Sequence, residues 1–221
     1  MSKLYSYVLR YDDGGAPNPF WDTCTLTICK PDIRRTAQIG DWVIGTGSKN
    51  SRLKDGNTYD LSDSLVYAMK VSNKLTLAGY DSFCRQHLQK KIPKWFNKDF
   101  RLRMGDCIYD YSTANPPRQR KGVHNETNIK RDLGGQFSLL SRHFYYFGEE
   151  PRPIPHELRH IIKQGQKHKV ITDSVTVDKF EKWIKQFDKN KIYAEPQLKF
   201  EFDIAPTDKQ IAKCATRHLE D

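Results

Sequence analysis

The chain has 221 residues, enough for one domain with an appendage and for a core that needs no disulfide or metal. Its 37 Lys and Arg against 27 Asp and Glu give a net charge of +10, which favours a polyanionic partner, nucleic acid first. A 12% aromatic content excludes global disorder, and no stretch approaches the ~18 apolar residues of a membrane span. The opening MSKLYS lacks an apolar leader, so five scattered cysteines read as reduced thiols of a cytoplasmic protein.

Residues 4–11 (LYSYVLRY) alternate in a Tyr- and Val-rich pattern that predicts a strand. Residues 12–21 (DDGGAPNPFW) form a rigid loop, in which Gly14 and Gly15 permit unusual dihedrals and Pro17 and Pro19 fix theirs. Residues 23–29 (TCTLTIC) predict a second strand, and Pro31 opens a short helical turn carrying Ile33, Arg34 and Arg35. Gly40-Asp41 is a turn, followed by a buried strand at 42–45. The Gly-, Asn- and Ser-rich stretch 47–63 reads as a long exposed loop, 64–71 (SLVYAMKV) as a strand and 76–92 as a helix. A basic, irregular stretch over 93–123 leads to HNETNIKRDLGG, and 137–148 has the ring density of strand structure.

PRPIP at 151–155 marks a boundary. Beyond it Pro155 suits the first turn of a helix with Leu158, Ile161 and Ile162, while Val177, Phe180, Ile184 and Phe187 recur at helical spacing. Thr207 with Gln210 is a capping box for a last helix. The pattern predicts an α+β chain: a β-rich domain over 1–155 and a basic helical extension over 156–221 packed on it.

Several constellations carry chemistry. Gly45-Thr46-Gly47-Ser48-Lys49 has the residue types of a phosphate loop but not their order, so it reads as a polar Gly loop after a strand. Cys24 and Cys29, five apart on one predicted strand, point to opposite faces, and Cys84-x-x-His87 lacks a second pair, so no metal and no cofactor is expected. His124, Asn128 and Asp132 supply donors and acceptors for a general base or for reading a base edge, against the plainer role of a hydrogen-bonded cap. Arg10 and Asp12, with Asn18, Phe20 and Trp21, combine rings and edge-directed polar groups in a restricted loop. The run 85–103 interleaves seven Lys and Arg with Trp95 and Phe96, as a phosphate-tracking surface does, or as a solvated helix face does.

YSYVLRYDDGGAPNPFWDTCTLTICKPDIRRTAQIGDWVIGTGS resembles the N-terminal signature of the nucleotide modification associated domain 2 family. SLVYAMKV, GDCIYDY, HNETNIKRDL and SRHFYYFGEEPRPIP continue the likeness in order, over about residues 4–155. The matching positions are Arg10, Asp12, Pro17, Asn18, Cys24, Lys30, Pro31, Arg34, Gly40, Asp41, Gly45, Thr46, His124, Asn128 and Asp132. The order of strands is also similar to PUA-like domains, including the EVE and ASCH groups, which are twisted β-barrels with flanking helices.

The resemblance implies a prokaryotic or phage DNA-modification or defence system. It makes recognition of a modified base or nucleotide in DNA the first expectation. Arg10, Asp12, Asn18, Phe20, Trp21, Thr46, Ser48 and Asn128 are expected at the nucleotide, and Lys30, Arg34, Arg35 and Lys49 at phosphates. The alternatives are an enzyme on a nucleotide or base, with His124 or Asp132 as general base, and an accessory subunit that binds partner proteins of such a system.

Overall fold

The computed structural model describes residues 2–203; the capping box at Thr207 lies outside the described residues. The first strand, β1 (Leu4–Val8), ends three residues earlier than its sequence pattern, although the Leu9 N–H still reaches the Thr46 carbonyl (2.8 Å). After it come β2 (Cys24–Leu26), α1 (Pro31–Thr36), β3 (Trp42–Thr46) and a small hairpin, β4 (Ser51–Arg52) with β5 (Thr58–Tyr59), inside the expected loop. Next are β6 (Ser64–Lys70), β7 (Asn73–Thr76), α2 (Leu77–His87), α3 (Phe100–Arg103), and a second hairpin of β8 (Tyr109–Asp110) and β9 (Arg118–Gln119). The rest comprises α4 (Ile129–Gly134), β10 (Phe137–Ser141), β11 (Phe144–Tyr146), β12 (Arg152–Pro153), β13 (His168–Ile171), α5 (Ser174–Ile184) and β14 (Lys191–Ile192).

The larger sheet runs β13-β1-β3-β6-β11-β14, with β12 added to β6; the smaller runs β2-β10-β7. β1 and β3 are parallel, and the remaining large-sheet pairs are antiparallel except β11 with β14. The β7–β10 register continues that of β6–β11 without a shift, so 64–76 and 137–146 are one bent antiparallel pair shared by both sheets. The strand expected over 137–148 is therefore a strand that changes sheet at Arg142 and His143.

Period-two alternation sorts the side chains. Tyr5, Tyr7, Val43, Met69, Phe144 and Tyr146 join Cys24, Leu26 and Leu139 of the smaller sheet in one core. Leu4, Trp42, Ile44, Ala68 and Tyr145 face the other way, onto Leu158 and Ile161 of a 3-10 turn over His156–Ile161 and onto Val177, Phe180 and Ile184 of α5. The stripe predicted at 177–184 is thus the buried face of α5, while the helix predicted after Pro155 is a 3-10 turn. Residues past 155 also supply β13 and β14 at the two ends of the larger sheet. A bulge opposite Gly45 and Thr46 turns Tyr67 toward Tyr7, and a Cβ on Gly45 would stand 2.5 Å from the Tyr67 ring. No described helix is long and apolar enough to cross a membrane.

The basic run 85–103 divides in three dimensions. Arg85, Lys90, Lys94, Lys98 and Arg101 are exposed, but Lys91 is fully buried. Its Nζ donates among Asn18 Oδ1 (2.7 Å), the carbonyls of Asn18 (2.9 Å) and Thr23 (2.7 Å), and Thr25 Oγ1 (3.0 Å). Thr25 and Tyr80 in turn donate to Asp106 at 2.5 and 2.7 Å. Lys91→Met is expected to cost about 3 kcal/mol or more, because it leaves these acceptors buried without donors and Asp106 without its counter-charge. Urea denaturation of the variant checks this; an unchanged midpoint would contradict it.

Candidate functional site

A cleft of about 510 Å³ opens beyond the C-terminal ends of the parallel pair β1 and β3. Val8, Arg10 and Tyr11 leave β1, residues 47–50 leave β3, Lys30 precedes α1, Ser62 and Asp63 precede β6, and 162–167 precede β13. The ends of parallel strands are where sheets of this kind leave room for ligands, since the connecting loops splay apart there. Arg10, Lys30, Lys49, Lys163 and Lys167 line it, against Asp63, which pairs with Arg159 at 3.1 Å. Lys30 Nζ stands 4.7 Å above the Tyr7 ring, and the Arg10 guanidinium 5.4 Å from the Tyr11 ring.

Four of the residues expected from sequence, Arg10, Lys30, Ser48 and Lys49, therefore meet in one place. Thr46 lies beneath them, fully buried, with Oγ1 directed at the Tyr7 carbonyl (3.4 Å). Lys163 and Lys167 were not expected. They belong to a turn-rich loop with Gly165 and Lys167 at positive φ, and nothing in KQGQK sets its lysines apart from any solvated run.

A second constellation lies inside the fold. The predicted strand 23–29 stops at Leu26, and Cys29 and Lys30 take the left-handed conformation (φ 58° and 38°) in the turn before α1. Cys29 therefore does not continue the strand alternation from Cys24. Its Sγ stands 3.5 Å from His124 Nε2, and His124 Nδ1 donates to Asp132 Oδ2 at 2.5 Å. Asp132 also accepts from the Cys29 N–H (2.9 Å) and the Tyr109 hydroxyl (2.9 Å). All three side chains are buried, and their donor atoms lie within 4.8 Å of one another.

Burial pulls the His124 imidazole down, but the Asp132 carboxylate and Cys29 outweigh it and push it up to about 9. Burial pushes Asp132 up, yet His124, the Cys29 N–H and Arg34 hold it below the usual carboxylate range. The expected general-base pair is thus an ion pair, and the residue that sequence reasoning missed is Cys29. Only the break in strand period after Leu26 could have signalled it.

Arg34, expected at a phosphate, is fully buried. Nε donates to the Cys29 carbonyl (2.7 Å), and the two terminal nitrogens donate to the Phe137 (2.9 Å) and Asp132 (2.6 Å) carbonyls. It pins the Cys29 turn to α4 and β10 and has no face toward solvent. Arg35 is exposed, paired with Asp32 and bonded to the Gly134 carbonyl (2.9 Å), and does not line the cleft.

The loop 12–21 is interior. Asp12 is buried and accepts both its short bonds from Tyr146 (2.6 and 2.7 Å); burial pushes its carboxyl up to about 7 despite them. Asn18 is spent on Met104, Phe20 and Lys91, and Phe20 packs edge-on against Phe100. Trp21 is half-buried in a separate cleft, with Lys90 and Arg101 over its ring at 4.5 and 4.7 Å. Asn128 is buried, its Oδ1 capping the Asn125 N–H (3.1 Å).

No curated protein and no solved structure matches the chain. Comparison with protein families matches residues 1–204 to nucleotide modification associated domain 2, a span that runs past the motifs at 4–155 to include the loop with Lys163 and Lys167 and strands β13 and β14. With the whole described chain inside that match, from the cleft loops to the buried Cys29 turn, the protein belongs to the nucleotide modification associated domain 2 family.

Proposed function

We propose that this protein recognises a modified base or nucleotide in DNA as part of a DNA-modification system, and that it does so in the cation-lined cleft. The observation that carries the reading is the convergence of Arg10, Lys30, Lys49, Lys163 and Lys167 from four separate loops around one half-buried ring, Tyr11. Cations set around a concave wall neutralise phosphates, while a ring among them stacks on a base. The name of the family supports a nucleotide ligand. The bent strand pair shared by two sheets around one core supports a PUA-like arrangement, which as a likeness of fold assigns no function.

The test is fluorescence anisotropy with labelled single-stranded oligonucleotides, unmodified or carrying one hydroxymethylcytosine, across a salt series. Affinity is expected to fall with log salt at a slope of about −0.7 per neutralised phosphate. Lys30→Ala and Lys49→Ala should each reduce that slope by about 0.7 for every sequence. Tyr11→Ala should weaken binding about tenfold and blunt the preference for the modified base while leaving the slope unchanged. Trp21→Ala, in the separate cleft, should leave both intact. Absence of binding by oligonucleotides and by free nucleotides at low salt would overturn the proposal.

A further inference from the structure

We propose that Cys29 is a nucleophile, that His124 is its general base and acid, and that the protein cleaves an acyl group from a phosphate-bearing compound held in the cation-lined cleft. The part concerning the cleft rests on the function proposed above; the part concerning Cys29 stands on its own geometry. Asp132 bears only acceptors, so the 2.5 Å contact holds one proton of the His124 imidazolium on Nδ1 and leaves the second on Nε2, facing Sγ at 3.5 Å, where it pairs with a Cys29 thiolate. That order of groups, thiol to imidazole to carboxylate, is what activates a cysteine for acyl transfer.

The frame around it is over-determined. Asp132 is oriented by the Cys29 N–H and the Tyr109 hydroxyl, and Arg34 ties the carbonyls of Cys29 and Asp132 to one guanidinium. Asp132 and Arg34 are positioning residues. Two successive non-glycine residues at positive φ, Cys29 and Lys30, are held in a conformation that costs free energy, and such strain concentrates where a side chain must be aimed. The other described cysteines are placed differently: Cys24 touches Met69 at 4.0 Å, Cys84 is buried in a cluster with Tyr80, Cys107 and Leu140, and Cys107 faces Asp81 and Arg120.

A metal is the competing use of the same three side chains. Asp132 already accepts three hydrogen bonds, from the Cys29 N–H, the Tyr109 hydroxyl and His124 Nδ1, which leaves one of its four lone pairs for a metal. A metal there would occupy both Sγ and Nε2, so bound zinc and acyl transfer by Cys29 exclude each other, and the zinc content of the protein separates them.

The chemistry balances without an oxidant. With the Cys29 proton already on His124 Nε2, the thiolate pair forms an S–C bond to the carbonyl carbon while the carbonyl π pair moves to oxygen. When that pair returns, the bond from carbon to the leaving nitrogen or oxygen breaks, and the leaving group takes the proton from Nε2. Water then attacks the thioester and gives its proton to Nε2, and the acid is released as sulfur leaves with its electron pair, which restores the thiolate–imidazolium pair. Lys30, next in the chain with its Cα about 3.8 Å from that of Cys29, is itself a wall of the cleft. The Cys29 side chain is 2% exposed, so an acyl group reaches Sγ only when neighbouring side chains give way.

The experiment uses the full chain and does not depend on nucleotide binding. Thiolate absorbance in the ultraviolet is followed against pH for the wild type, Cys29→Ser, His124→Asn and Asp132→Asn, and each protein is incubated with p-nitrophenyl acetate and mapped by mass spectrometry. The wild type should carry one thiolate, absent from Cys29→Ser, well below the ordinary thiol pKa of about 8.5, and should form a hydroxylamine-sensitive acetyl group on Cys29. His124→Asn should acylate at least about a hundredfold more slowly, and Asp132→Asn, which removes the charge that raises His124, should move the alkaline limb of the acylation profile downward. If Cys29→Ser does not fold, the pH dependence of iodoacetamide labelling at Cys29 in the wild type takes its place: a rate flat below about pH 8 supports the proposal. Identical titrations of wild type and Cys29→Ser, labelling that follows an ordinary thiol, acetylation of lysines alone, or one bound zinc per chain would each overturn it. A nucleophile found without oligonucleotide binding would remove the cleft reading and keep this one.

Discussion

Arg34→Ala is expected to cost more than about 4 kcal/mol of folding stability, the largest loss of any single substitution considered for this chain. The guanidinium donates to three backbone carbonyls on α4, β10 and the Cys29 turn, at 2.6 to 2.9 Å, with no water between. A hydrogen bond from a charged donor contributes about 1.5–3 kcal/mol, and removing the guanidinium takes that donor from three carbonyls at once, of which that of Asp132 keeps a second bond, from the Gly135 N–H (3.1 Å). Burial lowers the Arg34 pKa to about 10, while Asp132 opposes the shift, so the group is still charged at neutral pH. Arg34→Lys keeps the charge but not the planar fork and should lose about half as much. Gly135→Ala should fail in the same way from the opposite side, because its Cβ would stand 2.1 Å from Arg34 Cζ. Urea midpoints of the three variants check the order; an Arg34→Ala protein as stable as wild type would show that the guanidinium is not the pin between these elements.

Arg34 also marks the limit of what its sequence discloses. In KPDIRRT it stands beside Arg35, and nothing in composition or spacing separates them. Helix geometry does: α1 turns Ile33 and Arg34 inward and leaves Arg35 exposed on Asp32. Lys91 and Lys90 diverge for the same reason, one buried among four oxygens and the other at the surface. A cation is legible as a cation, but whether its donors meet phosphate or backbone carbonyls depends on which loops arrive from elsewhere. Alternation is more reliable, because period two and period 3.6 express burial directly; hence β1, β3, β6 and the Val177, Phe180, Ile184 face of α5 were readable. His124 and Asp132 were readable as a polar pair eight residues apart, whereas Cys29 joins them across 95 residues and no local signal spans that distance.

The cleft and the Cys29 turn share a wall, and that adjacency has a physical basis. Parallel β1 and β3 need a crossover, and β2, the Cys29 turn and α1 are that crossover. Its return to the sheet delivers Lys30 to the rim and Cys29 beneath it. The same loop therefore serves surface electrostatics through one residue and buried chemistry through the residue before it.

Stability is expected to fall steadily as pH rises from about 4 to about 9, instead of peaking near neutrality. Asp12 sets the acid half. Its carboxyl titrates at about 7 in the fold against 3.8 in the free chain, chiefly because burial disfavours the charge. Below 3.8 it is protonated in both states and costs nothing. Between 3.8 and about 7 the unfolded chain ionises and the folded one does not, so unfolding is progressively favoured, to a limit of about 4 kcal/mol. His124 sets the alkaline half with the opposite charge and the same slope. Its pKa rises from 6.5 to about 9, so its ion pair with Asp132 stabilises fully below pH 6.5 and is lost as pH climbs through about 9. Asp132, held below its usual range, limits the acid side, since its contribution disappears as pH falls through its lowered pKa. Asp12→Asn keeps an acceptor for the Tyr146 hydroxyl and removes the ionisation. It should leave stability near pH 4 within about 1 kcal/mol of wild type and raise it by several kcal/mol above pH 7, so that only the His124 slope remains. Urea unfolding of both proteins across this range measures the difference, and parallel curves for wild type and Asp12→Asn would show that the buried carboxyl at Tyr146 does not carry the acid half.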